Sequence, residues 1–200
     1  MLTLPTVIDL TDSGIPVFPQ GPALDSLFHD PLTGAPNAVL LHARLEHSIS
    51  RARRHKGCVG VIVLRLSGLA ELEAGHGRTG SDAVLIETTR RLQRIIRLAD
   101  TVARCNHHEF VITCEDMDIV SLEGVAKRIL AAVDRPVVLD AGKIAVSATV
   151  GLCLITGKTD PYRAIEVARA AAGQGGGGEP VPAGGVPSTA TNDGAEAVAP

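Results

Sequence analysis

Two adjacent histidines, His107 and His108, stand close to Cys105 in a short polar segment between two apolar runs. Imidazole and thiolate groups are ligands for zinc and related transition metals. Adjacent residues on a tight turn point apart, and the sequence offers no second cluster of ligands at a spacing that would complete such a site. The pattern therefore favours an exposed histidine pair on a turn, and we predict no metal site here.

A run of basic residues follows the first regular segment of the chain. It consists of Arg51, Arg53, Arg54, His55 and Lys56. Positive charges at the C-terminal end of a helix interact favourably with the helix dipole, which predicts a solvated helix end. A docking patch for a partner protein is the alternative.

Composition and cysteine spacing exclude several classes of protein. The net charge of −3 gives no electrostatic reason to expect nucleic-acid binding. No apolar run approaches the ~20 residues that a membrane span requires, and the N-terminus lacks the basic region of a signal peptide. Cys58, Cys105, Cys114 and Cys153 form no CxxC pair, and three of them lie in apolar runs, which predicts buried thiols. We expect a soluble, cytoplasmic protein that binds neither nucleic acid nor membrane.

Regular periodicity is confined to the middle of the chain. Apolar residues at helical spacing predict helices near residues 41–52, 84–96, 122–133 and 161–172. Runs rich in β-branched residues predict strands at 58–66, 101–105, 109–115, 136–139 and 143–155, of which the last four form two hairpins. The order α-β-α-β-β-α-β-β-α predicts an α/β sandwich whose sheet is at least partly antiparallel.

The two ends of the chain differ in composition from this middle domain, residues 30–173. Residues 1–29 alternate Pro, Gly and acidic residues without a sustained period, which predicts a loose arm. Residues 174–200 contain a GGGG run, four prolines and no Lys or Arg. Because such a segment has little apolar surface to bury, we expect a disordered tail.

Three short motifs lie on the predicted elements in a fixed order. Residues 30–37 read DPLTGAPN, residues 100–104 read DTVAR, and residues 146–151 read VSATVG. They resemble the DxLTGLxN, DTVAR and VSxSxG motifs of the GGDEF family, whose active members are bacterial diguanylate cyclases. The resemblance implies a fold like the palm of nucleotidyl cyclases, with a central mixed, largely antiparallel sheet flanked by helices.

The chain departs from this family at the signature itself, where it reads NHHEF. In active members the two glycines give the hairpin a sharp turn and the third position is an acid that binds metal. By this resemblance His107 places a side chain where the substrate would lie, and His108 replaces the catalytic acid. The five signature positions are Asn106, His107, His108, Glu109 and Phe110.

A second metal-binding acid of the family, at the end of the first core strand, corresponds to Arg65. The two Mg²⁺ ions of an active cyclase need oxygen ligands, and a guanidinium repels a cation. At ~4 Å and an effective dielectric of about 20, one such charge pair interacts by ~4 kcal/mol. We therefore expect no metal or other cofactor, with Mg²⁺ relevant only to an active enzyme, and we expect Arg65 to pair with Glu109.

Other substrate positions follow the same pattern. By resemblance, Glu73 replaces an asparagine that reads guanine, and Ala70 replaces a lysine that contacts phosphate. The basic residues of the family's last-helix motif have no counterpart. Asp82, which matches a guanine-contacting acid, is retained as a residual nucleotide contact.

One ligand site of the family is kept in sequence. Arg97-Leu98-Ala99-Asp100 precedes the signature by five residues, which is the spacing of the RxxD site that binds product in active cyclases. An arginine fork can bond the O6/N7 edge of guanine, and a carboxylate can accept from its N–H groups. Arg128 would add a cation for the phosphates. A purely structural role for the helix-end arginine and the strand-start aspartate is the alternative.

Three functions follow from this resemblance. The first is a catalytically inactive regulatory or receptor module that binds cyclic di-GMP at Arg97, Asp100 and Arg128. The second is a protein-interaction scaffold that needs no nucleotide; a protein partner is expected for either. The third, a diguanylate cyclase that joins two GTP into cyclic di-GMP, conflicts with the residues at four matched positions: Arg65, His108, Ala70 and Glu73. Homodimerisation stays open, because active relatives work as dimers.

Overall fold

Apolar, β-branched strands lie at the centre of the molecule, and helices cover both faces of the sheet that they form. The computed structural model describes residues 27–139, 142–156, 160–174 and 181–182. In chain order the elements are α1 (Ala38–His55), β1 (Val59–Ser67), α2 (Leu69–Ile95), β2 (Thr101–Arg104), β3 (Glu109–Glu115), α3 (Ile119–Val133), β4 (Val137–Leu139), β5 (Gly142–Ile144), β6 (Ser147–Ile155), α4 (Pro161–Gln174) and β7 (Val181–Pro182).

The main sheet has five strands in the order β2-β3-β1-β6-β7. The central strand β1 is antiparallel to both β3 and β6, and only the β6–β7 pair is parallel. The register places Arg65 of β1 between Glu109 of β3 and Thr149 of β6. The predicted mixed, largely antiparallel sheet flanked by helices is therefore confirmed.

Strand residues alternate between two apolar layers. Ile62, Leu64 and Phe110 face α2 and α3 in one layer. Val61 and Val63 face α1 and α4 in the other. Because β1 is covered on both sides, its sequence is a continuous apolar run and not an alternating one.

Helix α4 approaches the sheet unusually closely at Gly151 of β6. A Cβ atom at this glycine would lie 2.0 Å from the carbonyl oxygen of Ala168 and 2.3 Å from the backbone nitrogen of Ala172. Only a residue without a side chain fits between strand and helix here. This contact fixes the position of α4 relative to the strand ends.

The structure corrects the predicted start of the second helix. Helix α2 begins at Leu69, fifteen residues before the apolar stripe that predicted it, and it kinks at Gly77, where φ is 68° and ψ is 176°. Leu69 and Leu72 are buried and hold the first half against the core. Glycines on either side of the kink interrupt the apolar period, so the first half gives no helical pattern in the sequence.

The predicted strand over residues 143–155 is in fact two strands. β5 pairs with β4 in a separate two-stranded sheet, whereas β6 pairs with β1 over its full nine residues. The two strands join different sheets, and residues 145–146 between them belong to neither strand. Residues 140–141 of the predicted turn lie outside the described residues.

The predicted terminal segments are only partly described. Residues 1–26 of the predicted arm and residues 175–180 and 183–200 of the predicted tail lie outside the described residues. Val181–Pro182, within the segment predicted to be disordered, instead pairs with Gly151 and Leu152 of β6. Among the helices described, none is long and apolar enough to cross a membrane. The four cysteines are free. Of the three thiols predicted to be buried, only two are, since Cys114 and Cys153 are buried whereas Cys58 and Cys105 are half-buried.

Candidate functional site

The β2–β3 hairpin carries the signature positions. Its tip is held by backbone contacts: the Cys105 amide donates to the Glu109 carbonyl at 3.0 Å, and the Leu66 amide donates to the His108 carbonyl at 2.9 Å. The Asn106 side chain accepts a hydrogen bond from the His108 amide at 3.2 Å. This side-chain hydrogen bond stabilises the turn at the hairpin tip.

The two histidines at the tip have different surroundings. His107 is exposed, with its Nε2 atom 3.9 Å from a carboxylate oxygen of Glu73 on α2. His108 is half-buried. Within the described part of the chain, no group of three or more His, Cys, Asp or Glu residues is placed to hold a metal ion.

Glu109, the fourth signature residue, is only 1% exposed and is bound by an arginine of the last helix. Arg169 Nε lies 3.1 Å and 3.0 Å from the two carboxylate oxygens, and Nη2 lies 2.7 Å from Oε1. Glu166, one turn earlier on α4, bonds the remaining side of the same guanidinium. Hydrogen bonding to Glu109, opposed by partial burial, raises the pKa of Arg169.

The predicted Arg65–Glu109 ion pair is therefore wrong. The two residues are direct partners in the strand register, yet the structure records no hydrogen bond or ion pair between their side chains. Arg65 instead reaches towards the end of α4, where its Nη1 atom would lie 3.7 Å from a Cβ added at Gly173. The carboxylate of Glu109 already has a bidentate partner in Arg169, and Arg65 finds a helix C-terminus, where a cation is favourable.

Sequence reasoning missed Arg169 because it lies sixty residues from Glu109. The signal that could have indicated it is local. Glu166 and Arg169 are an i,i+3 charge pair inside an otherwise alanine-rich helix whose apolar face is buried. A charge so close to a buried face needs a partner from another element.

A second ion pair joins two of the motifs that carried the family resemblance. Arg104 Nη1 lies 2.9 Å and 3.1 Å from the two carboxylate oxygens of Asp30, and Arg104 Nη2 donates to the His107 carbonyl at 3.2 Å. Thr33 donates to Asp30 through its amide and its hydroxyl. Burial alone would raise the pKa of Asp30, but the hydrogen bonds from Thr33 and Arg104 outweigh it and lower that pKa. The DxLT loop is thus bonded directly to the base of the hairpin.

The RxxD residues form a tight turn between α2 and β2. Asp100 Oδ2 accepts from the Arg97 amide at 2.9 Å, and Oδ1 accepts from the Glu115 amide at 3.1 Å. Burial raises the pKa of Asp100, against the opposing hydrogen bond and charge of Arg97. Each oxygen retains a second lone pair, so Asp100 both shapes the turn and keeps acceptor capacity.

Asp100 lies at the C-terminal end of β3, where it bonds the Glu115 amide; Arg97 is in the same turn, and Arg128 lies on α3. Burial is the main cause that raises the pKa of the Cys114 thiol to about 12, and the charge of Asp100 adds to it. The charges of Arg97 and Arg128 act to lower this pKa. Both arginine side chains are exposed, and Asp100 is half-buried.

The retained Asp82 is placed on α2, apart from this cluster. Its half-buried carboxylate is 3.9 Å from Nε of the exposed Arg78, one helical turn away. Ala70 and Glu73 lie on the first half of α2, before the kink. The residual substrate positions are therefore spread along α2.

Cys105, beside the hairpin tip, has an unreactive thiol. Burial raises the pKa of its thiol to about 12, with a further contribution from the Glu109 charge that Arg169 partly offsets. A thiolate is the reactive form of cysteine, and such a shift leaves almost none at neutral pH.

Comparison with known proteins agrees with this geometry. The family profile described as "Diguanylate cyclase, GGDEF domain" matches residues 27–175. The bifunctional diguanylate cyclase/cyclic di-GMP phosphodiesterase MucR of Pseudomonas aeruginosa is 30% identical over 129 residues, which are 64% of this chain and 19% of MucR. The diguanylate cyclase TpbB of the same species is 26% identical over 139 residues, 68% of this chain and 32% of TpbB. The chain thus spans between a fifth and a third of these curated relatives.

Solved structures show the same architecture. The P. aeruginosa diguanylate cyclase SiaD, in complex with its activator SiaC, superposes with a TM-score of 0.74 at 24% identity, covering 80% of this chain and 63% of SiaD. The GGDEF domain of DgcB from Caulobacter crescentus, in complex with c-di-GMP, gives a TM-score of 0.73 at 17% identity, covering 78% of this chain and 95% of that domain. The fold, the motif order and the match over residues 27–175 show that this chain belongs to the GGDEF family.

Proposed function

We propose that this chain is a catalytically inactive GGDEF domain that acts as a regulatory module by binding cyclic di-GMP at Arg97, Asp100 and Arg128. The observation that carries the proposal is the turn at residues 97–100, in which the Arg97 amide donates to the Asp100 carboxylate at 2.9 Å while the Arg97 side chain is exposed. Two exposed arginines can bond a guanine edge and neutralise phosphates, and the carboxylate can accept from guanine N–H groups. The complex of DgcB with c-di-GMP supports the proposal by analogy of fold.

The proposed loss of catalysis is supported by the residues of β1 and of the β2–β3 hairpin at the family's metal-binding positions. In-line attack by a 3′-hydroxyl needs divalent cations held by carboxylates, and the matching positions carry Arg65 and His108. The one acid left there, Glu109, has both oxygens bonded to Arg169. No ligand set for two Mg²⁺ ions remains at these positions, so we expect no conversion of GTP.

Isothermal titration of the purified chain with cyclic di-GMP tests the proposal. We expect micromolar or tighter binding that falls at least about tenfold in Arg97→Ala and in Arg128→Ala, since each loses a charge-assisted bond. Arg163→Ala is the matched control, because Arg163 is an exposed arginine on α4. A parallel incubation with GTP and Mg²⁺ should yield no cyclic di-GMP. Product formation there would disprove the inactive assignment.

A nucleotide-independent scaffold is the second candidate, and a specific observation favours it. Both oxygens of Asp100 already accept backbone amides, and Leu98, within the same turn, is fully exposed. A turn built this way can present an apolar side chain to a protein partner without any nucleotide. Absence of heat with cyclic di-GMP in the wild-type chain would favour this function over the first.

A further inference from the structure

The contact between Glu109 and Arg169 has the features of a built-in counter-ion. The carboxylate is 1% exposed, and its two oxygens face the Nε and Nη2 atoms of one guanidinium. A buried carboxylate is stable only when a positive charge or several donors neutralise it. In this chain α4 supplies that charge from within.

The surrounding contacts hold the guanidinium in place. Glu166 bonds its other side, and α4 is fixed on β6 by the close approach of Ala168 to Gly151. Arg169 directly follows Ala168, so the strand–helix contact positions it. The charge is held by backbone packing as well as by its partners.

The same position does not fit a divalent cation. Mg²⁺ demands near-octahedral oxygen ligands at about 2.0–2.1 Å, and both oxygens of Glu109 are already engaged. Arg65, the cross-strand partner of Glu109, adds a second positive charge on the same face of the sheet. The residues present therefore oppose the metal that active members of the family use.

From these contacts we propose that Arg169 is a resident cation that neutralises Glu109 from within the chain and leaves this end of the sheet unsuited to a divalent cation. The inference rests on the proposed absence of catalysis. It adds a reason why the buried carboxylate of the hairpin is bonded to α4. It also predicts that restoring the lost carboxylate at position 65 is not enough to restore a metal site.

Manganese binding to variants of this 200-residue chain, followed by electron paramagnetic resonance, tests this inference. We expect weak or no binding of Mn²⁺ to the wild type and to Arg65→Asp. The double variant Arg65→Asp/Arg169→Gln, which frees Glu109 beside a new carboxylate, should bind Mn²⁺ at least about tenfold more tightly than Arg65→Asp. Arg65→Asp/Arg163→Gln is the matched control, and it should behave like Arg65→Asp. Equal affinity of Arg65→Asp and Arg65→Asp/Arg169→Gln would overturn the proposal.

A stability measurement keeps the proposal testable if the double variant folds poorly. Arg169→Gln should lower the melting temperature, because it leaves Glu109 buried and unpaired, and Glu109→Gln/Arg169→Gln should recover most of that loss. If the melting temperature of the double variant does not recover, Arg169 acts through packing and not as a counter-ion, and the proposal is wrong. Cyclic di-GMP titrations of the same variants separate the two proposals, since Arg97 and Arg128 are unchanged in them.

Discussion

At the scale of single residues, two ion pairs between side chains hold the hairpin of this chain. Glu109 is neutralised by Arg169, and Asp30 is neutralised by Arg104, itself only 8% exposed. Arginine suits both positions because its planar fork bonds two carboxylate oxygens at once and it stays charged when partly buried. Breaking such a pair is costly, because the remaining charge stays in a poorly solvated place.

The Asp30–Arg104 pair makes a prediction about pH. Because the folded-state pKa of Asp30 lies below its unfolded value of about 3.8, its contribution to stability is complete above that pH and is lost as pH falls through the folded pKa. We expect Asp30→Asn to lower the free energy of unfolding by about 2–3 kcal/mol at pH 6. Urea unfolding from pH 6 down to pH 3 should show this difference shrinking below about pH 4.

Glu46→Gln is the control for that series. Glu46 is an exposed carboxylate on α1, and its replacement should change stability by less than about 0.5 kcal/mol at every pH. A difference between wild type and Asp30→Asn that stays constant on acidification would contradict the assigned pKa direction.

At the scale of elements, the β6–α4 contact determines where the hairpin's counter-ion lies. We expect Gly151→Ala to destabilise the chain by about 3 kcal/mol, because its Cβ would overlap backbone atoms of α4 that cannot rotate away. Urea unfolding measures this loss directly.

Gly124→Ala is the matched comparison for Gly151. Gly124 lies on α3, is exposed, and has no atom within 4 Å of an added Cβ. Alanine there should stabilise the helix by up to about 1 kcal/mol. Similar effects from the two substitutions would mean that α4 does not approach β6 as closely as described.

Elements with an uninterrupted pattern could be predicted from the sequence, and those shaped by glycine or by distant partners could not. The continuous apolar run of β1 and the helical apolar stripe of α3 are uninterrupted, and each predicted an element close to its observed bounds. The first half of α2 was missed, because its kink depends on the positive φ of Gly77. The break between β5 and β6 arises because β5 pairs with β4 and β6 pairs with β1. A local sequence pattern does not identify the partner of a strand, so the break could not be predicted.

At the scale of the whole molecule, the same limit applies to the candidate site. The family resemblance predicted Arg97, Asp100 and Arg128, and the structure shows that Arg97 and Asp100 share one turn. The resemblance also suggested Arg65 as the partner of Glu109, and the two positions do meet in the strand register. The true partner comes from the last helix, and only the packing of α4 on the sheet identifies it.

Ligand binding should be visible in the stability of the whole chain. A ligand that binds only the folded state stabilises it by ~2.7 kcal/mol at one hundred times its Kd, which for a domain of this size raises Tm by roughly 5–10 °C. We expect this rise with cyclic di-GMP in the wild type and in Arg163→Ala, and none in Arg97→Ala. Differential scanning calorimetry at several ligand concentrations should show Tm increasing with the logarithm of concentration.

Mg²⁺ alone should leave Tm unchanged, because Arg169 already neutralises Glu109. A cyclic di-GMP response that persists in Arg97→Ala would place the ligand elsewhere on the molecule.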